Sequence, residues 1–75
     1  MVNRNKFWTE REVELLREMW YNRGVTREEM MRVMDRSWFS LQGKQWMMGW
    51  RSRTELEQEW RDEELMRRYR EIIEV

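Results

Sequence analysis

The residues of this chain that could perform acid–base or metal chemistry are almost all carboxylates. The chain contains no Cys and no His, which removes thiolate and imidazole ligands together with the commonest general base. The densest carboxylate group, Asp62-Glu63-Glu64, falls at consecutive helical positions, whose side chains point in different directions. No Gly-rich phosphate loop and no nucleophile paired with a base is present. We therefore predict no enzymatic activity, no metal and no cofactor.

The charged side chains are divided unevenly along the chain, although the formal net charge is zero. Residues 1–53 carry eleven basic and seven acidic residues, whereas residues 54–75 carry four basic and eight acidic ones. The basic first part is compatible with a nucleic-acid partner, but the neutral total is lower than is typical of such proteins. No apolar run approaches the ~20 residues of a membrane span, and the polar start lacks the apolar stretch of a signal peptide. We expect a protein of the cytoplasm or nucleoid, or of the nucleus in a eukaryotic host.

Three helix starts are indicated by Thr-x-x-Glu patterns, each just before a stretch with helical apolar spacing. The three patterns are Thr9 with Glu12, Thr26 with Glu29, and Thr54 with Glu57. In such a pattern the Thr hydroxyl accepts from the third helical amide, and the Glu carboxylate accepts from the Thr amide. Pro is absent, Gly is scarce and good helix formers dominate. These features predict an all-α chain.

Four helices follow from these starts and from the apolar period. We predict helix 1 over residues 10–22 with Gly24 as its left-handed cap, helix 2 over 27–34, helix 3 over 38–50 with Ser37 as its cap, and helix 4 over 55–73. A tight turn at residues 35–37 separates helices 2 and 3. The predicted core positions of the first three helices are Val13, Leu16, Met19, Trp20, Met30, Val33, Met34, Leu41 and Met48.

The first three helices have the layout of a helix-turn-helix unit, in which the last helix enters the DNA major groove. The stretches that carry a family resemblance are Trp8-Thr9-Glu10, Val13-Glu14-Leu15-Leu16, Trp20, Thr26, Met30, Arg36-Ser37, Leu41, Gly43-Lys44 and Met48-Gly49-Trp50. At this spacing they resemble the Myb/SANT superfamily, and especially the amino-terminal domain of GcrA-type bacterial cell-cycle regulators. The resemblance covers residues 7–50. It implies a homeodomain- or Myb-like three-helix bundle over residues 1–53, to which residues 54–75 add a fourth helix.

The same resemblance implies binding to double-stranded DNA and, for the GcrA type, contact with the transcription machinery. Carried over position by position, the DNA-facing residues are Arg36, Ser37, Ser40, Gln42, Gly43, Lys44 and Met47. Arg36 and Lys44 would donate to phosphates or base edges, Gly43 would permit a close backbone approach, and Gln42 suits adenine.

Four further basic residues lie outside helix 3 and have two explanations each. Arg51 and Arg53 follow helix 3 and are candidates for phosphate contacts, but basic residues are also favoured at a helix carboxyl end without any ligand. Arg4 and Lys6 would form a basic arm like that of homeodomains, or simply a polar terminus.

Helix 3 carries large apolar side chains on both of its sides, with Trp38, Leu41 and Met48 on one and Phe39, Trp46 and Trp50 on the other. A helix that is apolar all round is normally buried, and a bare apolar patch usually marks a partner surface. Three arrangements are open. Helix 4 covers the patch within the same chain, a second copy covers it in a homodimer, or the aromatic side chains face a DNA groove. The predicted covering or partner surface includes Leu56, Trp60, Leu65, Tyr69 and Ile72 of helix 4.

Two functions from different classes follow from these observations. The first is a small DNA-binding transcriptional regulator that contacts phosphates through Arg36, Lys44, Arg51 and Arg53, and base edges through Ser40, Gln42 and Met47. The second is a non-enzymatic protein-interaction module on a Myb/SANT scaffold. Such a module would dock on the transcription machinery, or on another DNA-bound protein, through the Trp46 and Trp50 surface.

Overall fold

The computed structural model describes residues 7–73, which form four α-helices and no strand. Helix α1 spans Glu10–Trp20, α2 spans Arg27–Met34, α3 spans Trp38–Met48, and α4 spans Arg53–Ile73. The prediction of an all-α chain with four helices is therefore confirmed for this range. The chain divides into two compact units between Trp38 and Phe39. The functional division at residue 53 stays a prediction.

The first two helices begin at the predicted capping boxes. Thr9 Oγ1 accepts from the Glu12 amide at 3.1 Å, while the Thr9 amide donates to Glu12 Oε1 at 2.9 Å. Thr26 and Glu29 repeat this reciprocal pair at 3.1 and 2.8 Å. Each box satisfies two backbone donors that a helix start would otherwise leave without an intrahelical partner.

The predicted start of helix 4 at Thr54 is wrong by two residues. The Ser52 carbonyl accepts from the Leu56 amide at 3.0 Å, and Ser52 Oγ accepts from the Glu55 amide at 3.4 Å. Ser52 therefore occupies the cap position, because it offers the same Ser/Thr-x-x-Glu pattern two residues earlier. Glu57 instead accepts a hydrogen bond from Arg53.

The prediction of Gly24 as a left-handed cap is also wrong. Helix α1 ends at Trp20, and Gly24 is not among the glycines with positive φ. The Gly24 amide donates to Asn22 Oδ1 at 2.8 Å, which is the geometry of an Asx turn. The side chain of Asn22, and not a left-handed glycine, shapes the connection after α1.

Helices α2 and α3 both end in a left-handed residue, at Asp35 (φ 56°) and Gly49 (φ 76°). The Arg36 amide donates to Met31 O at 3.3 Å, and the Trp50 amide donates to Gln45 O at 3.0 Å. These bonds, which span five residues, belong to the Schellman motif that terminates a helix. The predicted break between helices 2 and 3 at residues 35–37 is confirmed, and α3 stops at Met48 instead of reaching Trp50.

The first unit packs α1 against α2. Leu16, Trp20 and Met30 are completely buried. The ring of Trp38 stacks on Trp20 with centroids 5.3 Å apart and an interplanar angle of 8°. The guanidinium of Arg27 lies 4.8 Å from the centroid of the Trp38 ring, a distance within the range of cation–π attraction.

The second unit buries Leu41, Trp50, Leu56 and the charged Arg53. The prediction that Val33 and Met48 belong to the core is wrong. The side chain of Val33, in the first unit, is 57% exposed, and that of Met48, in the second unit, is 47% exposed. Met48 is the last residue of α3, and the left-handed turn at Gly49 redirects the chain after it. Trp50, beyond that turn, is the buried residue instead.

Candidate recognition surface on α3

One side of α3 is open to solvent along the length of the helix. Phe39, Trp46 and Met47 are 85%, 81% and 79% exposed, and Gln42 and Gly43 are exposed between them. These five positions have the spacing i, i+3, i+4, i+7 and i+8, which places them on one side of a helix. We call them the α3 face. A shallow groove follows it and is also lined by Gln45 and Ser52.

Gly43 leaves an open space in the middle of the α3 face. A Cβ atom added there would meet no other atom within 4 Å, so internal packing does not require a glycine. A glycine inside a helix costs about 1 kcal/mol relative to alanine. The residue therefore lowers the stability of the helix and leaves its backbone accessible from outside.

Three of the predicted DNA-facing residues, Gln42, Gly43 and Met47, lie together on the α3 face. Ser40 and Lys44 are half-buried on the neighbouring part of the helix surface, and Ser37 is exposed in the turn before α3. The predicted basic arm of Arg4 and Lys6 lies outside the described residues.

Arg36 does not belong to this surface, and its predicted contact with DNA stays a prediction that its internal contacts oppose. Its side chain is only 11% exposed, and its guanidinium lies 3.9 Å from the centroid of the Trp8 ring. Its Nη2 donates to the Phe7 carbonyl at 3.1 Å and to Glu12 Oε2 at 3.5 Å. Arg36 therefore ties the end of α2 to the start of α1, and a phosphate would have to displace this packing.

The hydrogen bonds of the Glu12 carboxylate, first of all the one from the Thr9 amide, have a consequence for the pH dependence of stability. The hydrogen bond from the Thr9 amide, helped by the charge of Arg36, lowers the pKa of Glu12 below its ordinary value of 4.5, against a smaller opposing effect of partial burial. A carboxylate with a depressed folded-state pKa stabilises the fold above its unfolded-state pKa, and this stabilisation is lost as the pH falls through the folded-state value.

We expect the thermal midpoint to fall as the pH drops below about 4.5, and Glu12→Gln to reduce that fall. Glutamine keeps an acceptor for the capping box, so the variant should fold at neutral pH. Calorimetry between pH 7 and pH 3 measures the effect, with Glu14→Gln at an exposed position of α1 as the control. Identical pH profiles for the parent and Glu12→Gln would contradict the assignment.

Arg53 is the second predicted phosphate contact whose side chain makes internal contacts instead of facing solvent. Its side chain is 3% exposed, and its Nε donates to Glu57 Oε2 at 3.0 Å. Its guanidinium also lies 4.9 Å from the centroid of the half-buried Trp60 ring. A residue enclosed in this way holds the start of α4 in place and is not accessible to DNA.

Arg51 remains accessible, because its side chain is 48% exposed. It donates to both carboxylate oxygens of Glu59 and lies 3.7 Å from Glu55. The hydrogen bond from Arg51 lowers the pKa of Glu59. Exposed ion pairs contribute only about 0–1 kcal/mol, so a phosphate can compete with these carboxylates for Arg51.

The predicted partner surface separates into buried and exposed parts. Phe39 and Trp46 are exposed on the α3 face, whereas Trp50 is buried and Trp60 is half-buried beneath Arg53. The helix 4 residues Leu65, Tyr69 and Ile72 are 52%, 60% and 72% exposed. Of the three open arrangements, covering of the helix 3 aromatics by these three residues within the same chain is not observed, because their own side chains stay in solvent.

Within residues 7–73, no group of three or more acidic side chains is arranged to hold a metal ion. No helix of that range combines the length and the apolar character needed to cross a membrane. No family model, curated protein or solved structure matches the chain. The function of the α3 face therefore has to be argued from its own geometry.

Proposed function

We propose that this chain is a helix-turn-helix DNA-binding regulator in which α3 is the recognition helix. The observation that carries the proposal is the α3 face, where Gln42, Gly43 and Met47 are exposed together on the helix that follows the tight turn at Asp35. The major groove of B-DNA is about 12 Å wide and admits one α-helix. The spacing that resembles Myb/SANT proteins supports the same assignment.

The chemistry of the α3 face suits A·T base pairs. The Gln42 carboxamide has the donor and acceptor needed to pair with adenine N6 and N7. Phe39 and Met47 offer apolar surface to the thymine methyl group. Gly43 lets the helix backbone approach the base edges without a side chain between them.

The phosphate contacts should be fewer than the sequence predicts. With Arg36 and Arg53 committed to internal contacts, Lys44 and Arg51 are the cations left from the predicted set. The logarithm of the binding constant changes with the logarithm of salt concentration by about −0.9 for each neutralised phosphate. We expect a slope of about −2 for one bound chain, in contrast to the nearly −4 that four cations would give.

Fluorescence anisotropy with A·T-rich and G·C-rich duplexes, between about 50 and about 200 mM salt, tests the proposal. We expect binding at low salt, a preference for the A·T-rich duplex, and a slope that Lys44→Ala reduces by about one. Arg11→Ala, at an exposed position of α1, is the control and should leave the slope unchanged. No binding to either duplex at the lowest salt would refute DNA recognition by this chain.

The Gly43→Ala variant is a more specific test, because it should raise the stability of the free chain and weaken its binding to DNA. In the free chain the new methyl group enters open space and should raise the free energy of unfolding by up to about 1 kcal/mol. On DNA the same methyl group would lie between α3 and the base edges and should weaken binding. Unchanged affinity would show that nothing approaches this position.

Gly49→Ala is the matched control for this pair of effects. Gly49 has a φ of 76°, so an alanine there should lower stability by about 1–2 kcal/mol. A protein in which both alanine variants are equally destabilised would contradict the description of Gly43 as unhindered.

A protein partner for the α3 face is the second candidate, and the exposure of Phe39 and Trp46 favours it. Aromatic side chains are enriched at the centres of protein interfaces. In this case Trp46→Ala would abolish binding of the partner, and neither duplex would bind. A photo-reactive residue at Met47 should then cross-link to a protein, and the same residue at the exposed Glu14 of α1 should not.

A further inference from the structure

Helix α4 carries apolar side chains near both of its ends, but the two groups lie on different sides of the helix. Near its start Leu56 is buried, with 5% exposure. Near its end the residues Leu65, Met66, Tyr69, Ile72 and Ile73, which we call the α4 stripe, are 52–76% exposed. At 100° per residue, Tyr69 lies about 140° around the helix axis from Leu56. The packing that buries Leu56 therefore turns the α4 stripe away from the second unit's core.

On one side of the α4 stripe the surface changes from acidic to basic along the helix. A groove there is lined by Glu59, Asp62, Glu63, Met66, Arg67 and Arg70, so its carboxylates lie toward the amino end and its guanidiniums toward the carboxyl end. The other side does not share this order, because the residues that flank the stripe there, Arg61 and Arg68, are both basic. The side with the groove is complementary to a reversed copy of itself, whereas a parallel copy would place like charges together.

We propose that the α4 stripe is a homodimer interface, in which α4 pairs antiparallel with α4 of a second copy of this chain. The two helices cross between Met66 and Arg67, which brings Leu65 of one copy against Tyr69 of the other. In that register Arg70 lies beside Glu63 of the second copy. The two-fold axis produces this ion pair twice.

The area of the α4 stripe is sufficient for a weak, specific dimer. Two copies of five large, mostly exposed apolar side chains bury on the order of 1,000 Å² in total, which is near the lower limit for a specific interface. Tyr69 lies at the centre of the stripe. A substitution of Tyr69 removes its contact twice in a symmetric dimer, because each copy contributes the same residue.

Sedimentation equilibrium of the full chain without DNA tests this interface independently of the proposed function. We expect a concentration-dependent equilibrium between monomer and dimer. Tyr69→Glu should weaken association at least about a hundredfold, because two buried aromatic contacts are lost. Val33→Glu, at an exposed position of α2, is the matched control and should leave association unchanged. Circular dichroism confirms that both variants fold.

The orientation of the helices is tested by exchanging charges. Arg70→Glu and Glu63→Arg should each weaken association about tenfold, because each puts like charges together at two symmetric places. The double variant should restore association to within about threefold of the parent. Residues 63 and 70 are two turns apart on one helix, so restoration reports a contact between copies.

Three results would overturn the proposal. The first is a chain that stays monomeric up to millimolar concentration, including one whose α4 stripe binds lipid vesicles instead. The second is a dimer that Tyr69→Glu does not weaken. The third is a double variant that associates no better than the single variants, which would indicate parallel helices. DNA binding by a monomer would leave the proposed function intact in each case.

Discussion

Trp20→Ala should lower the free energy of unfolding by about 3–5 kcal/mol, the range for truncating a large buried aromatic residue. Trp20 has no exposed surface, and its ring stacks on Trp38 at 5.3 Å. The substitution leaves a cavity and removes the surface on which α3 begins. A chain of 75 residues is typically stable by about 4–11 kcal/mol, so the variant should lose much or all of its folded population.

Urea unfolding followed by circular dichroism measures this loss. Trp46→Ala is the matched control, because it removes the same side chain from a position that is 81% exposed, and it should change stability by no more than about 0.5 kcal/mol. Equal losses for the two variants would contradict the assignment of Trp20 to the core and of Trp46 to the α3 face.

Glu57→Ala should have the second largest effect on stability, a loss of about 2–3 kcal/mol. It removes the carboxylate that accepts from Arg53 at 3.0 Å, while the Arg53 side chain stays 3% exposed. Breaking one side of a buried ion pair leaves a charge without its compensation, which typically costs about 3–5 kcal/mol. The expected loss is smaller here because Glu57 is itself 25% exposed.

Two companion variants separate this explanation from a general sensitivity of α4. Arg53→Met keeps apolar contact with Trp60 and removes the buried charge, so it should be nearly neutral. Glu59→Ala removes the partner of the half-exposed Arg51 and should change stability far less than Glu57→Ala, because exposed ion pairs contribute little. Chemical denaturation of the three variants tests this order. An Arg53→Met variant less stable than Glu57→Ala would overturn it.

The starts of α1 and α2 could be predicted because each capping box is a local pattern with no competitor nearby. The start of α4 could not be predicted in the same way, because Ser52-x-x-Glu55 and Thr54-x-x-Glu57 overlap and both satisfy the rule. Burial of the Arg53 side chain decides which of the two patterns caps α4. Starting the helix at Arg53 lets Glu57 pair with Arg53 one turn later, and that preference depends on side chains that the local pattern does not contain.

Gln42, Gly43 and Met47 were assigned to one surface through the family resemblance, and helical spacing is compatible with that assignment. The roles of Arg36 and Arg53 could not be predicted from residue type. An arginine presents the same donors to a phosphate and to a protein carboxylate. Arg36 meets the ring of Trp8, 28 positions earlier in the chain, and only tertiary structure makes that distance short.

The stack of Trp20 and Trp38 also has an optical consequence. Two indole rings that stack at 5.3 Å are close enough to couple their electronic transitions, and we expect an exciton doublet in the circular dichroism spectrum from the angle between their in-plane transition dipoles. The doublet reports the docking of the first residue of α3 on α1, whereas the helical bands report only backbone conformation. Substituting Trp38 by Phe should erase the doublet while leaving the helical bands almost unchanged, which makes the aromatic pair an internal spectroscopic probe of tertiary order.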